Sequence, residues 1–213
     1  MSQKIAVIDD GMGNLRSVSK AVEHVAGDAE VRVTDDPRFI DGADRVVRPR
    51  PGAARDCMAA LGDHPLNPAV SNAAQNKPYL GICMGLQVLM RHSEEHGGTA
   101  LLGLFAGEVR RFDGLAVGDN GLPLKIPHMG WSQVRQVGAH PLWRGIADQS
   151  RFYFVHSYRV VPEDVSLIAA TTDYGVRFTA AIARNNLFAT QFHPEKSAGA
   201  GLRLLENFVN WSI

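Results

Sequence analysis

Only two cysteines, Cys57 and Cys83, occur in 213 residues. No disulfide framework is expected from them, and a reactive thiol stays open. No apolar run is long enough to cross a bilayer, and Met1-Ser2-Gln3-Lys4 leads into a strand without the apolar core of a signal peptide. A cytoplasmic location is therefore expected. Neither sign of charge is in excess, since 22 Lys and Arg balance 22 Asp and Glu. Without a basic field, nucleic acid and anionic membrane surfaces are poor partners. Repeats, low-complexity linkers and a clear domain boundary are also missing, so residues 1–213 are read as one domain. At 45% hydrophobic and 21% charged, the composition is that of a globular chain able to bury a substantial core.

Strand and helix alternate through the first half. Lys4 to Ile8 is nearly all apolar, as a central parallel strand covered on both faces requires. A turn containing Gly11-Met12-Gly13-Asn14 precedes an amphipathic helix over 15–25. That Gly-x-Gly pair is an incomplete dinucleotide fingerprint, because Arg16 stands where the third glycine belongs. It reads as a turn lining a crevice. Strands are expected over 30–34 and 45–47, a break at Pro49-Arg50-Pro51-Gly52, and helices over 53–61 and 66–75. The pattern predicts an α/β fold: an open, mostly parallel doubly wound sheet with ligands at the carboxyl ends of its strands. After Gly98 short strands separated by turns (107–112, 124–128, 131–134, 151–158, 166–172, 178–184 and 186–191) predict an antiparallel extension. A helix over 202–211 closes the chain.

The stretch Pro78-Tyr79-Leu80-Gly81-Ile82-Cys83-Met84-Gly85-Leu86-Gln87 reads as an apolar strand, a tight turn and a helix continuing through Val88, Leu89 and Met90. Gly-x-nucleophile-x-Gly forms an elbow, because the sharp bend needs residues without side chains on either side. A cysteine at a helix N-terminus is favoured as thiolate. The N–H of Met84 then points to where an oxyanion would form. Buried cysteines between glycines also occur as inert packing, so the elbow needs a base to mean chemistry. Farther on, His92-Ser93-Glu94-Glu95-His96 has the form of a zinc pattern. It lies among charged residues beside Gly97-Gly98 with no third ligand, and reads as a solvated helix end. No metal is expected.

The base is found in Gln191-Phe192-His193-Pro194-Glu195-Lys196-Ser197. A histidine at a strand end can serve a cysteine as general base. A carboxylate two residues on can hold the other ring nitrogen, and Pro194 stiffens the loop between them.

The elbow and this block together resemble class I (triad) glutamine amidotransferases. Pro127-His128-Met129-Gly130-Trp131, Phe152-Tyr153-Phe154-Val155-His156-Ser157-Tyr158 and the opening glycine turn narrow the similarity to the glutaminase subunits of imidazole glycerol phosphate synthase, in histidine biosynthesis. The similarity covers essentially the whole chain. It implies that Cys83 attacks the side-chain amide of glutamine, with His193 as base and acid and Glu195 as its orienter. It further implies that Gln87 and Glu95 hold the substrate, that Ser157-Tyr158 forms a backbone clamp, and that no cofactor is used. Ammonia would pass to a separate (β/α)₈ cyclase subunit in a heterodimer, with Asn14, Trp131 and Lys196 at the interface.

One departure stands out. The family carries Pro-Gly-x-Gly in its oxyanion strand, and this chain has Pro49-Arg50-Pro51-Gly52. Arg50 adopts positive φ less readily than glycine, and Pro51 has no N–H to donate. The N–H groups of Met84 and Gly52 are then the remaining oxyanion donors. Two other readings follow. One is a docking subunit of the same complex with impaired catalysis. The other is the glutaminase of a different triad amidotransferase, such as anthranilate synthase. A cysteine peptidase of related fold fits the His193-Pro194-Glu195 order less well.

Overall fold

The computed structural model describes residues 2–9, 11, 15–50, 52–62, 66–112, 117–118 and 121–213. Its first half runs β1 (Lys4–Ile8), α1 (Arg16–Val25), β2 (Glu30–Thr34), α2 (Pro37–Gly42), β3 (Arg45–Arg50), α3 (Ala54–Leu61), α4 (Leu66–Asn76), β4 (Tyr79–Cys83) and α5 (Met84–Gln87). The second half adds β5 (His92–Ser93), β6 (Thr99–Ala100), β7 (Gly107–Arg111), β8 (His128–Gln133), β9 (Arg135–Gln136), β10 (Arg151–His156) and β11 (Tyr158–Pro162). It ends with β12 (Ile168–Tyr174), β13 (Val176–Arg184), β14 (Leu187–Thr190) and α6 (Ala198–Val209).

Among the described residues the main sheet has the order β2-β1-β3-β4-β14-β13-β12-β9. Strands β2 through β14 in that order pair in parallel, while β13, β12 and β9 continue the sheet antiparallel. The expected parallel sheet with its antiparallel extension is what forms. Side chains alternate along each strand, so the sheet separates two cores. Ile5, Val7, Leu80 and Ile82 pack with α1 and α6 on one face, and Ala6, Ile8 and Tyr79 pack with α2, α3 and α4 on the other. Leu204, Leu205 and Phe208 of α6 are fully buried, and each contributes ~1.5–3 kcal/mol by leaving water.

Several boundaries differ from the sequence reading. Strand β3 runs to Arg50 rather than ending at Val47. Its pairing with β1 stops at Val47, whereas pairing with β4 continues to Arg50. Pro49 therefore interrupts no ladder on the β1 side, which is where a proline inside a sheet is tolerated. The helix after the elbow ends at Gln87, and Val88 to Met90 follow as buried turns with Leu89 N–H donating to the Leu86 carbonyl and Met90 N–H to that of Gln87. Their apolar run serves the core without helical continuation. His92-Ser93 is a short strand and not a helix end, and Glu95–Gly97 forms a single tight turn. The strand expected over 124–128 begins only at His128, just past Pro127, which has no N–H for a ladder. The strand expected over 151–158 is two, β10 and β11, divided at Ser157.

Candidate active site

Cys83 ends β4 with φ 56 and ψ −106, a backbone conformation that L residues rarely adopt. Strain of this kind amounts to ~1–3 kcal/mol and persists only where the surroundings enforce it. The two flanking glycines permit the tight bend that carries it. A Cβ on Gly81 would sit 2.6 Å from the Gly85 carbonyl oxygen, and one on Gly85 would sit 2.2 Å from that of Arg48. Backbone cannot yield as a side-chain tip can. Gly85→Ala is therefore expected to lower stability by ~3 kcal/mol or more, seen as a drop in the midpoint of thermal or denaturant unfolding. A change within half a kcal/mol would show that the elbow tolerates a methyl group.

Parallel pairing delivers the other groups to this elbow. Thr190 of β14 lies opposite Ile82, so the chain beyond it, Gln191 to Glu195, passes beside Cys83. On the other side Arg50 of β3 lies opposite Cys83, and Gly52 shares a cleft with the sulfur. Gly52 has φ 117, and it lines a cleft of about 330 Å³ together with Cys83, Met84 and His193. Met84 is the first residue of α5, so its N–H has no partner within the helix.

His193 Nδ1 and Glu195 Oε1 are 2.8 Å apart, and both side chains are almost wholly buried. Nδ1 must donate to the carboxylate, which leaves Nε2 for the Cys83 sulfur. Nε2 completes no hydrogen bond among the described residues. Burial opposes a charged ring here. The Cys83 sulfur, as charge and as acceptor, and then Glu195 outweigh that burial and push the His193 pKa up to about 10. Glu195 Oε2 is buried without a partner among the described residues, so its charge is directed onto the imidazolium.

A second chain of polar groups reaches the sulfur from inside. Gln191 is fully buried and its Nε2 donates to Cys83 Sγ at 3.6 Å. Gln87 Nε2 donates to Gln191 Oε1 at 3.0 Å and to the Tyr158 carbonyl at 3.1 Å. The same carbonyl lies 2.8 Å from His156 Nδ1, whose other nitrogen is 3.0 Å from His128 Nδ1; His128 Nε2 in turn is 2.9 Å from Ser132 Oγ. Burial holds both histidines neutral, with the pKa of His128 pushed down to about 4 and that of His156 to about 3. Because a carbonyl only accepts, His156 carries its proton on Nδ1, His128 on Nδ1, and the Ser132 hydroxyl donates to His128 Nε2.

The class-I glutamine amidotransferase model matches residues 6–211. The chain belongs to this family. It is 58% identical over 213 residues to the imidazole glycerol phosphate synthase subunit HisH of Thiobacillus denitrificans, covering 100% of this chain and 93% of that one. It is also 58% identical over 210 residues to HisH of Dechloromonas aromatica, covering 98% of this chain and 97% of that one. Within the family, then, it belongs with the HisH subunits. Solved structures agree on the fold. PurLQS from Thermotoga maritima matches with a TM-score of 0.71 at 16% identity, covering 99% of each chain. The glutaminase domain of Trypanosoma brucei CTPS with bound acivicin matches with a TM-score of 0.63 at 17% identity, over 100% of this chain and 96% of that one.

Among the residues that the amidotransferase resemblance singled out, Gln87, Glu95, Ser157, Tyr158 and Lys196 all line the cleft. Two of them are engaged elsewhere. Gln87 spends its N–H groups inward on Gln191 and Tyr158. Glu95 Oε2 accepts from the N–H of Ala54 at 2.6 Å, at the start of α3, where Ala53 offers no side-chain cap. The Tyr158 carbonyl has both lone pairs taken, so a clamp on substrate would use other backbone groups of that segment. Trp131 is half-exposed on β8, edge-on to Tyr153 at 6.1 Å, and Lys196 Nζ lies 5.9 Å from the same ring. Tyr153 thus lies near both Trp131 and Lys196, and Lys196 lines the cleft. Asn14 and Pro51 lie outside the described residues. Sequence reasoning quoted Gln191, His128 and His156 within motifs and assigned them no role. The available signal was a polar residue two positions before a strand-end histidine.

Proposed function

We propose that this chain hydrolyses glutamine through Cys83, His193 and Glu195 and supplies the ammonia to a separate cyclase subunit, a (β/α)₈ barrel, in a cytoplasmic heterodimer. The Cys83 thiolate attacks the side-chain carbonyl carbon, and the developing oxyanion faces the N–H groups of Met84 and Gly52. The His193 imidazolium gives its Nε2 proton to the leaving nitrogen, so C–N cleavage releases ammonia and leaves a glutamyl thioester. Neutral His193 then takes a proton from water as its oxygen attacks the thioester, and glutamate departs as the thiolate and imidazolium are restored. What carries this reading is the imidazole held between a buried carboxylate at 2.8 Å and the sulfur of a strained elbow.

The test is to combine the chain with a histidine-pathway cyclase and compare glutamine with ammonium as nitrogen source. Turnover with glutamine supports the proposal. Turnover with ammonium alone favours a docking subunit, the reading that the missing N–H of Pro51 supports. Turnover with neither, given a competent cyclase, sinks both.

The reaction needs the imidazolium, so glutamine kcat/KM should hold through mildly alkaline pH and fall as the pH approaches about 10, where His193 loses its proton. Glu195 is one of the groups raising that value. Glu195→Gln should therefore move the alkaline limb to lower pH and reduce kcat by ~10²–10⁴-fold through loss of ring orientation. An unmoved limb would show that Glu195 does not act on the ring.

A further inference from the structure

We propose that Gln191 is a positioning residue for the nucleophile: its carboxamide presents an N–H to the Cys83 sulfur and holds the thiolate in the attacking position. The inference rests on the reading of Cys83 as nucleophile and extends it. The orientation of a carboxamide is normally ambiguous, since oxygen and nitrogen look alike. Here one end of the chain removes the ambiguity. The Tyr158 carbonyl can only accept, so the group of Gln87 facing it at 3.1 Å must be its NH₂. That same NH₂ faces Gln191 at 3.0 Å, so the Gln191 atom receiving it must be the oxygen. The NH₂ of Gln191 is left pointing at Sγ, 3.6 Å away. On the far side, Tyr158 is held by His156, and His156 by His128.

The arrangement suits a negative sulfur. Gln191 and Gln87 are buried at 0% and 3% exposure, and a donor to a charged acceptor in such a site is about twice as strong as a neutral pair. α5 has only four residues, so its dipole adds less at Cys83 than a long helix would. A side-chain donor fixed by Gln87, itself anchored on the Tyr158 carbonyl, supplies directed polarity in its place. It approaches from within the protein, while His193 and the cleft lie on the open side, so substrate binding need not displace it.

The measurement is the rate at which iodoacetamide alkylates Cys83 in the full chain, followed by mass spectrometry of the Cys83 peptide, with thermal unfolding recorded in parallel. Gln191→Glu replaces the donor by a negative acceptor, and Gln191→Met removes it while keeping the volume. At neutral pH the Glu variant should react at least ~10-fold more slowly than wild type and the Met variant ~3–10-fold more slowly. In complex with cyclase, glutamine kcat should fall with the neutral-pH alkylation rate while KM changes less than ~3-fold. Folded variants that alkylate at the wild-type rate at neutral pH would overturn the proposal, whatever their unfolding temperatures. Wild-type Cys83 reacting no faster than a free thiol would instead remove the nucleophile reading on which the proposal rests.

Discussion

Cys83→Ser should abolish glutamine-driven turnover, with a loss of ~10⁴-fold or more, while ammonium-driven turnover of the complex persists. Serine fits the site: it adds no atom, and the elbow's backbone stays as strained as before. What it lacks is an ionisable sulfur. Gln191 and His193 are both arranged around a negative atom, the first by donating to it and the second by carrying the opposite charge. An alcohol remains protonated against the same groups, and its neutral oxygen withdraws the charge that chiefly raises the His193 pKa, so attack would need proton removal from a much weaker acid. Parallel loss of both nitrogen sources would point to misfolding of the interface and not to the nucleophile.

The second large effect concerns the strand beside the sulfur. Arg50 pairs directly with Cys83, and the residue that follows it in the sequence, Pro51, has no N–H to offer an oxyanion. Removing one such donor typically lowers turnover by ~10²–10³-fold. Restoring it should work in reverse. The double substitution Arg50→Gly, Pro51→Val supplies both an N–H and a residue that tolerates positive φ, and glutamine turnover with cyclase present should rise toward that range. Gly52, already at φ 117 and lining the cleft, is the donor proposed to compensate in the unaltered chain. Equal rates for the two proteins would mean that Gly52 and Met84 suffice.

Legibility followed the range of the interactions involved. The elbow was readable because its signature is short, two glycines flanking one cysteine, although the oxygen that demands Gly85 is that of Arg48 on the neighbouring strand. His193 and Glu195, two residues apart, were readable for the same reason. The run Val88-Leu89-Met90 has the pattern of a helix and forms buried turns, because apolar residues suit either. β3 was read short because proline is a breaker only where a ladder needs its N–H, and the neighbour's length decides that. Gln191 could not be assigned. Its side-chain partners sit on α5 and at the end of β4, 104 and 108 residues away, and Gln87 in turn is held by β11, 71 residues from it. Glu95 shows the converse: a residue expected to hold substrate also closes the start of α3.

The most direct measurement is covalent labelling with a diazoketone analogue of glutamine, which alkylates an attacking thiolate and is then located by peptide mass spectrometry. The account predicts one equivalent on the peptide carrying Cys83, protected by glutamine and lost in His193→Gln, with Cys57 unmodified. Label on Cys57, or none under conditions where glutamine is turned over, would contradict it.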